Sequence, residues 1–328
     1  MFKQELLARH CSYQIGGTAH YFSAPPSQDE LIAVLQACKS HGQAYTIFGM
    51  GSNLLFPDRP REDHVYISLK RLAYWENRAA SWFVSAGVPM SMLALVGLHS
   101  RIPDFERTYL LPGSLGAGIY MNAKFEQFQI SDVIKRVCFL DLDQDQLIPQ
   151  WIEVCDCQYG YKKSIFQEHN WLILGAELTV TPAGEKEHDL QMALNRWLDL
   201  PDSANLKTFY DFFSQEVKGL EDKGTPIPDT LNRIEQYRNG KYHFSYPSCG
   251  SVFKNNYDYG TPIGALVEQL NLKGLTHGGA MISPHHGNII VNSNQASAQD
   301  IASLLTVIID EIHRNFGFVP EPEVVILN

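Results

Sequence analysis

No apolar run in this 328-residue chain reaches the roughly 20 residues that a membrane-spanning helix needs; the longest, Met90 to Leu98, stops at His99. The N-terminal MFKQELLARHC mixes charged with apolar residues and lacks the apolar stretch of a secretory leader. The expected compartment is the cytoplasm, with no membrane partner. Basic residues are short: 26 Lys and Arg stand against 36 Asp and Glu, a formal net charge of −10. Sequence-independent nucleic-acid binding draws on basic surface, so no nucleic-acid partner is expected, and no obligate protein partner is evident. Metal-binding spacings are missing as well. There is no CxxC or HExxH, and His285-His286 has no third ligand at a suitable distance along the chain, so no metal is expected and the pair reads as loop. The six cysteines are too few for a disulfide framework in a chain this long. Cys155 and Cys157, two apart, would share one face of a strand and read as buried, reduced thiols. Internal repeats and low-complexity segments are absent.

What remains is an ordinary globular composition, 45% hydrophobic and 19% charged. Ser27 and Glu30 read as a capping box ahead of Leu31, Ile32, Val34, Leu35 and Cys38 at helical spacing, closed by Gly42. Ala44 to Phe48 then reads as a strand running into Gly49-Met50-Gly51-Ser52-Asn53 and on to Leu54-Leu55-Phe56. Between about Val65 and Thr181 the pattern is mostly strand-like, interrupted by Pro112-Gly113-Ser114-Leu115-Gly116. Pro182 to Lys241 is polar, with loop signals at Leu200-Pro201-Asp202 and Gly224-Thr225-Pro226, and reads as a mostly helical connector. Pro262 opens a helix through Ile263, Leu266, Val267 and Leu270, and Asn288 to Val291 is a strand. Ser297 and Asp300 cap a helix with Ile301, Leu304, Leu305, Ile308 and Ile312 on its buried face. FVPEPEVVIL reads as a last strand interrupted by prolines.

Glycine-rich turns let backbone amides approach a phosphate, because no side chain holds it off. Neither turn here is a P-loop, since the Gly-Lys-Ser/Thr ending is absent, and Leu54 stands where a dinucleotide fingerprint needs its third glycine. Taken singly, each reads more simply as a tight turn. Two of them on different strands suggest a diphosphate held between two subdomains.

The wider spelling of these segments resembles the UDP-N-acetylenolpyruvoylglucosamine reductase (UDP-N-acetylmuramate dehydrogenase) family. Ser12-Tyr13-Gln14-Ile15-Gly16-Gly17-Thr18-Ala19, Gly49 to Phe56 and Pro112 to Gly116 are similar to its flavin-binding part. Tyr159 to Phe166, Tyr246 to Asn255, Gly274-Leu275 with Gly278-Gly279-Ala280, Asn288 to Asn292 and Glu321-Pro322-Glu323-Val324 are similar to the rest. The matches run in family order over nearly the whole chain. The resemblance implies an α+β class: an FAD-binding fold of two α+β subdomains (PCMH-type) with a C-terminal α+β substrate-binding domain. The implied division is 1–64 for the first FAD subdomain, joined by a C-terminal strand at 318–328, and 65–182 for the second. A mostly helical connector at 183–240 and a substrate domain at 241–317 follow.

The implied reaction is the FAD-mediated, NADPH-dependent reduction of UDP-N-acetylglucosamine enolpyruvate to UDP-N-acetylmuramate in peptidoglycan precursor synthesis. The only expected partner is thus a UDP-sugar small molecule. Gly49, Met50, Gly51, Ser52, Asn53, Pro112, Gly113, Ser114 and Gly116 match the cofactor-binding segments. Ser251 matches the family's proton donor, although Ser248-Cys249-Gly250-Ser251 alone reads as a turn serine bonding its own backbone. Glu323 matches the carboxylate that steadies the enediolate-like intermediate; by itself it reads as a solvated acid at a strand entry.

Lys162 stands where the family usually has arginine. It keeps the charge and loses the two-pronged geometry, and with Lys163 it also reads as a surface pair, Lys163 being able to swing in instead. Tyr161, Lys241, Lys254 and Asn255 match substrate-binding positions, with Arg238 a lesser candidate of the same kind. His286 falls at a family position but receives no chemical step. Lys124-Phe125-Glu126-Gln127-Phe128 replaces the Gly-Ala-Tyr-Gly that the family commonly carries near the flavin. Lys162 and Lys124–Phe128 together motivate an alternative, an FAD-binding paralogue with another substrate or weak activity. A non-enzymatic nucleotide-binding module would have no need of Ser251 and Glu323.

Overall fold

The computed structural model describes residues 3–78, 81–179, 187–201 and 204–327. The break expected at 182/183, Asp202 of a loop signal and Asn328 of the last segment lie outside them. The architecture is α+β. The helix Gln28–Ser40 buries Leu31, Val34, Leu35 and Cys38, which share one face, and the Ser27 hydroxyl accepts from the Glu30 amide at its start. It lies between Thr18–Ser23 and Tyr45–Phe48, two strands of a four-stranded sheet ordered Lys3–Leu6, Thr18–Ser23, Val65–Ser68, Tyr45–Phe48. The first pair is antiparallel and the other two are parallel.

Val65–Ser68 is therefore an inner strand of the first sheet, beside Thr18–Ser23, although it follows the expected division at 64/65. Its side chains alternate between faces, as strand geometry requires. Val65 and Ile67 join one hydrophobic core, while Tyr66 joins a second core with Phe22, Phe48 and Phe56. The sheet is thus covered on both sides.

A five-stranded antiparallel sheet follows, ordered Gln150–Glu153, Ile134–Asp141, Trp171–Leu178, Ser81–Ser85, Trp75–Arg78. The strand-like reading of this region misses the helix Met90–Ser100, whose residues from Met90 to Leu98 are all buried. A helix enclosed on every side shows no amphipathic period, so its apolar run could not be told from a buried strand. Cys155 and Cys157 also depart from expectation. They fall in and after the 3-10 turn Val154–Asp156, with Cys155 exposed and Cys157 buried, and do not share a strand face.

The segment expected as a connector is a packed layer. Helices Glu187–Leu198, Leu206–Asp222 and Asp229–Gly240 send Trp197, Phe209, Phe213 and Ile234 into the same core as the second sheet. The last unit joins the helix Ile263–Gln269 and the antiparallel strands Thr276–His277, Ala280–Ile282 and Ile290–Asn292 to the helix Ala298–Phe316. Ser297 and Asp300 cap that helix reciprocally, and Gly317 ends it at φ +78. Val325–Ile326 then runs parallel to Leu54–Leu55 of the first unit. No helix among the described residues is long and apolar enough to cross a membrane.

Candidate active site

The two glycine turns meet. Gly51 sits at φ +66, and a Cβ there would run into the His10 carbonyl, so the turn depends on glycine. The Ser12 amide donates to the Gly51 carbonyl at 3.1 Å and braces the turn from below. Gly113 adopts φ +128, and a Cβ on it would come within 3.1 Å of Ser52 Oγ, while Gly49 faces Ser114 Oγ. Ser52, Asn53, Pro112, Gly113 and Ser114 line one wall of a cavity of about 370 Å³. Gly49, Met50, Gly51 and Gly116 do not line it. Met50 is buried in the core. The Gly116 amide donates to Ala86 O at 2.9 Å and is occupied; a Cβ would sit 2.8 Å from that of Ala86, so this glycine serves packing.

The opposite wall is stitched from three segments far apart in sequence. The Val252 amide donates to Asn288 O (2.9 Å), and the Asn288 side chain exchanges two bonds with the Phe253 backbone (3.0 and 2.8 Å). The Glu323 amide donates to Val252 O at 2.8 Å, and Asn53 Nδ2 donates to Glu323 O at 2.9 Å. These bonds bring Ser251 and Glu323 to one cavity, next to the first glycine turn. Lys162 enters from a turn, at φ +56 between bridged Gly160 and Lys163, where alternation along a strand does not apply. Its Nζ lies 2.6 Å from Glu323 Oε1, with side chains 22% and 14% exposed. Lys163 turns away to Glu168 at 2.9 Å and so is not the residue that reaches in.

Tyr161 lines the cavity against Tyr257, ring centroids 4.7 Å apart; burial, then Tyr257, pushes its hydroxyl up to about 12. Asn255 lines it too, its Oδ1 accepting from the Ile263 amide at 3.2 Å. Lys241 and Lys254 do not line it. Lys241 is exposed at a helix end, and Lys254 pairs with Glu321 at 2.6 Å.

A third wall combines Phe125, Tyr237, Arg238, His243, Phe244 and His286. Phe125 belongs to the hairpin Lys124–Phe125/Phe128–Gln129, which occupies the Lys124–Phe128 departure. His243 carried no signal in the sequence, because its neighbours across the cavity come from residues more than 40 positions away. Burial, then the Arg238 charge, holds its imidazole down at about 3; burial also lowers His286. The neighbouring Cys249 thiol is pushed up to about 12 by burial and is no nucleophile. A larger cleft of about 670 Å³, lined by Lys3, Ser68, Lys70, Arg71 and Leu198 among others, contains none of the expected site residues. Size alone would choose it; the convergence of Ser251, Glu323 and Lys162 chooses the other.

The glycine-turn wall fits the diphosphate of an FAD. Ser52, Asn53, Gly113 and Ser114 present small side chains and backbone there, and a side chain at Gly113 would narrow the approach. Residues 19–143 match an FAD binding domain, and residues 242–327 match the C-terminal domain of UDP-N-acetylenolpyruvoylglucosamine reductase. The enzyme so named from Borrelia garinii subsp. bavariensis is 30% identical over 97% of this chain and 90% of its own. That from Treponema denticola is 32% identical over 96% and 89%. The crystal structure of UDP-N-acetylenolpyruvylglucosamine reductase from Thermus caldophilus shares the fold across 100% of this chain and 99% of its own, with TM-score 0.65 at 21% identity. With its glycine turns, its two matched regions and these relatives, the chain belongs to the UDP-N-acetylenolpyruvoylglucosamine reductase family and is a flavin-dependent oxidoreductase.

Proposed function

We propose that this protein catalyses the NADPH-dependent reduction of UDP-N-acetylglucosamine enolpyruvate to UDP-N-acetylmuramate, a peptidoglycan precursor, in the cytoplasm. The observation that carries this reading is the 2.6 Å contact between Lys162 and Glu323 in the cavity that Ser251 also lines. FAD bound at the glycine turns would supply the hydride chemistry. Lys162 has three donor hydrogens; one meets Glu323, and the others are free to hold the substrate carboxylate as its charge grows. Ser251 Oγ gives its proton to the carbon next to that carboxylate, and the Lys162 charge lowers the cost of the alkoxide left behind. Glu323 fixes Lys162 in place and takes part in returning the proton to Ser251. The unit at 241–317, with Asn255 on the cavity wall, closes over the sugar nucleotide.

Ser251→Ala tests the assignment. Flavin reduction by NADPH should stay near wild type, while turnover of the enolpyruvyl substrate falls by about 10²–10⁴, the usual weight of a positioned proton donor. Normal turnover by that variant would remove Ser251 from the mechanism. A second reading, a paralogue with another electron acceptor, is favoured by Lys162 in the arginine's place and by Phe125 on the cavity wall.

A further inference from the structure

Pro112 and Gly113, on the cavity wall that fits the FAD diphosphate, follow directly on a turn in a crowded conformation. Leu110 takes φ +54 with its side chain fully buried, the left-handed region in which a Cβ meets the backbone. A residue held so persists only where its surroundings over-determine it. The Leu111 amide donates to Thr108 O at 3.1 Å and closes the turn. The hydroxyl of Ser91, buried on the helix Met90–Ser100, reaches the Thr108 and Leu111 carbonyls at 3.1 and 3.2 Å. At the far end the Met90 amide donates to Gly113 O at 2.9 Å.

Another tie comes from the helical layer. Tyr109, 1% exposed, directs its hydroxyl between Glu235 Oε2 at 3.3 Å and Ser214 Oγ at 3.4 Å. A single proton shared between two acceptors gives long bonds, and the carboxylate is the stronger acceptor. Burial raises the Tyr109 hydroxyl above its ordinary value, so it stays a donor. Glu235 is itself aimed. Tyr210, on the helix Leu206–Asp222, donates to its other oxygen at 2.5 Å, the length of a charge-assisted bond, and Asn239 Nδ2 donates to Tyr210 Oη at 3.0 Å.

We infer that Glu235 is a positioning residue: through the Tyr109 hydroxyl it holds the left-handed turn at Leu110, and with it Pro112 and Gly113, in the form that receives FAD. Without that tie the receptive form becomes a smaller fraction of the population, and the apparent affinity falls by that fraction. The inference rests on FAD lying at the glycine turns, as the proposed reaction also requires, and on no property of the enolpyruvyl substrate.

The test reads the dissociation constant of FAD by ultrafiltration of the loaded protein, with Tm measured alongside. Tyr109→Phe removes the hydroxyl and keeps the ring; Glu235→Leu removes the acceptor. Each should weaken FAD roughly tenfold, about 1.4 kcal/mol. The double variant should be no weaker than either single one, because both changes remove the same link. Glu235→Gln can bond Tyr109 through either amide atom and should keep most of the affinity that Glu235→Leu loses. A lower Tm with wild-type FAD affinity would make the contact purely structural and overturn the inference. Losses that add in the double variant, or a Glu235→Gln protein as weak as Glu235→Leu, would overturn it too. If the single variants lose FAD as expected and the wild-type protein reduces no enolpyruvyl substrate, the inference stands and the proposed reaction falls. Wild-type FAD affinity in both variants, with normal turnover, has the opposite meaning.

Discussion

A lysine and an arginine carry the same charge to different effect. The Lys162 ammonium is a compact point charge that meets one Glu323 oxygen at 2.6 Å, where a guanidinium would present a flat fork. Lys162→Arg should hold or raise kcat/KM if the pocket accepts a fork; a large loss would mean that the site has adapted around lysine. Lys162→Met removes the partner of a carboxylate that is 14% exposed. It should cost at least about tenfold in kcat/KM, with the loss mostly in kcat, as for an interaction strongest in the transition state. An unchanged kcat would take Lys162 out of the chemistry. At this scale the sequence was informative about which segments carry function and less so about which side chains turn inward. Ser52, Asn53, Tyr161, Asn255, Ser251 and Glu323 all line the cavity. Lys254 does not, because Glu321, 67 residues on, lies beside it and takes its charge. Nothing local to Lys254 reveals that neighbour.

Elements were legible where one face is wet. The helices Gln28–Ser40 and Ala298–Phe316 have a clear apolar face and local caps, and both could be read from spacing alone. Met90–Ser100 has no exposed face to set a period and no side-chain cap at its start, being buried from Met90 to Leu98. The helical layer from 187 to 240 was legible as helix but not as core, since polar composition conceals which residues turn inward. Trp197 packs on Phe209, Phe212 and Phe213 with ring centroids 5.8, 5.2 and 5.3 Å away. Glu235 accepts from Tyr210 within the layer at 2.5 Å and from Tyr109, just after the 3-10 turn Phe105–Thr108, at 3.3 Å. Trp197→Ala should therefore cost about 3–5 kcal/mol of stability, read as a shift in the urea midpoint. A shift near zero would mean that the segment is only a helical connector, as its composition suggested, and not part of the core.

Over the whole molecule, the first sheet joins both cores, so an acid-induced loss in one should be felt by the other. Burial holds His10, His64, His243 and His286 below the ordinary histidine value, His243 down to about 3. In the unfolded chain these imidazoles protonate near their usual value of about 6.5, while in the folded chain burial delays their protonation to lower pH. The unfolded state then binds more protons, and stability falls as pH drops below about 6.5. The Glu177 carboxylate, lowered chiefly by Arg136 and also by Arg78, acts in the same direction further into acid. Tm should fall between pH 7 and pH 5 with proton uptake on unfolding; a flat or rising Tm would contradict this. The central claim concerns electrons and is tested most directly by anaerobic stopped-flow absorbance of the flavin-loaded protein. NADPH is mixed first, then UDP-N-acetylglucosamine enolpyruvate. The account predicts bleaching of the flavin followed by recovery that depends on the enolpyruvyl substrate. Bleaching without that recovery would contradict it and assign this family member another electron acceptor.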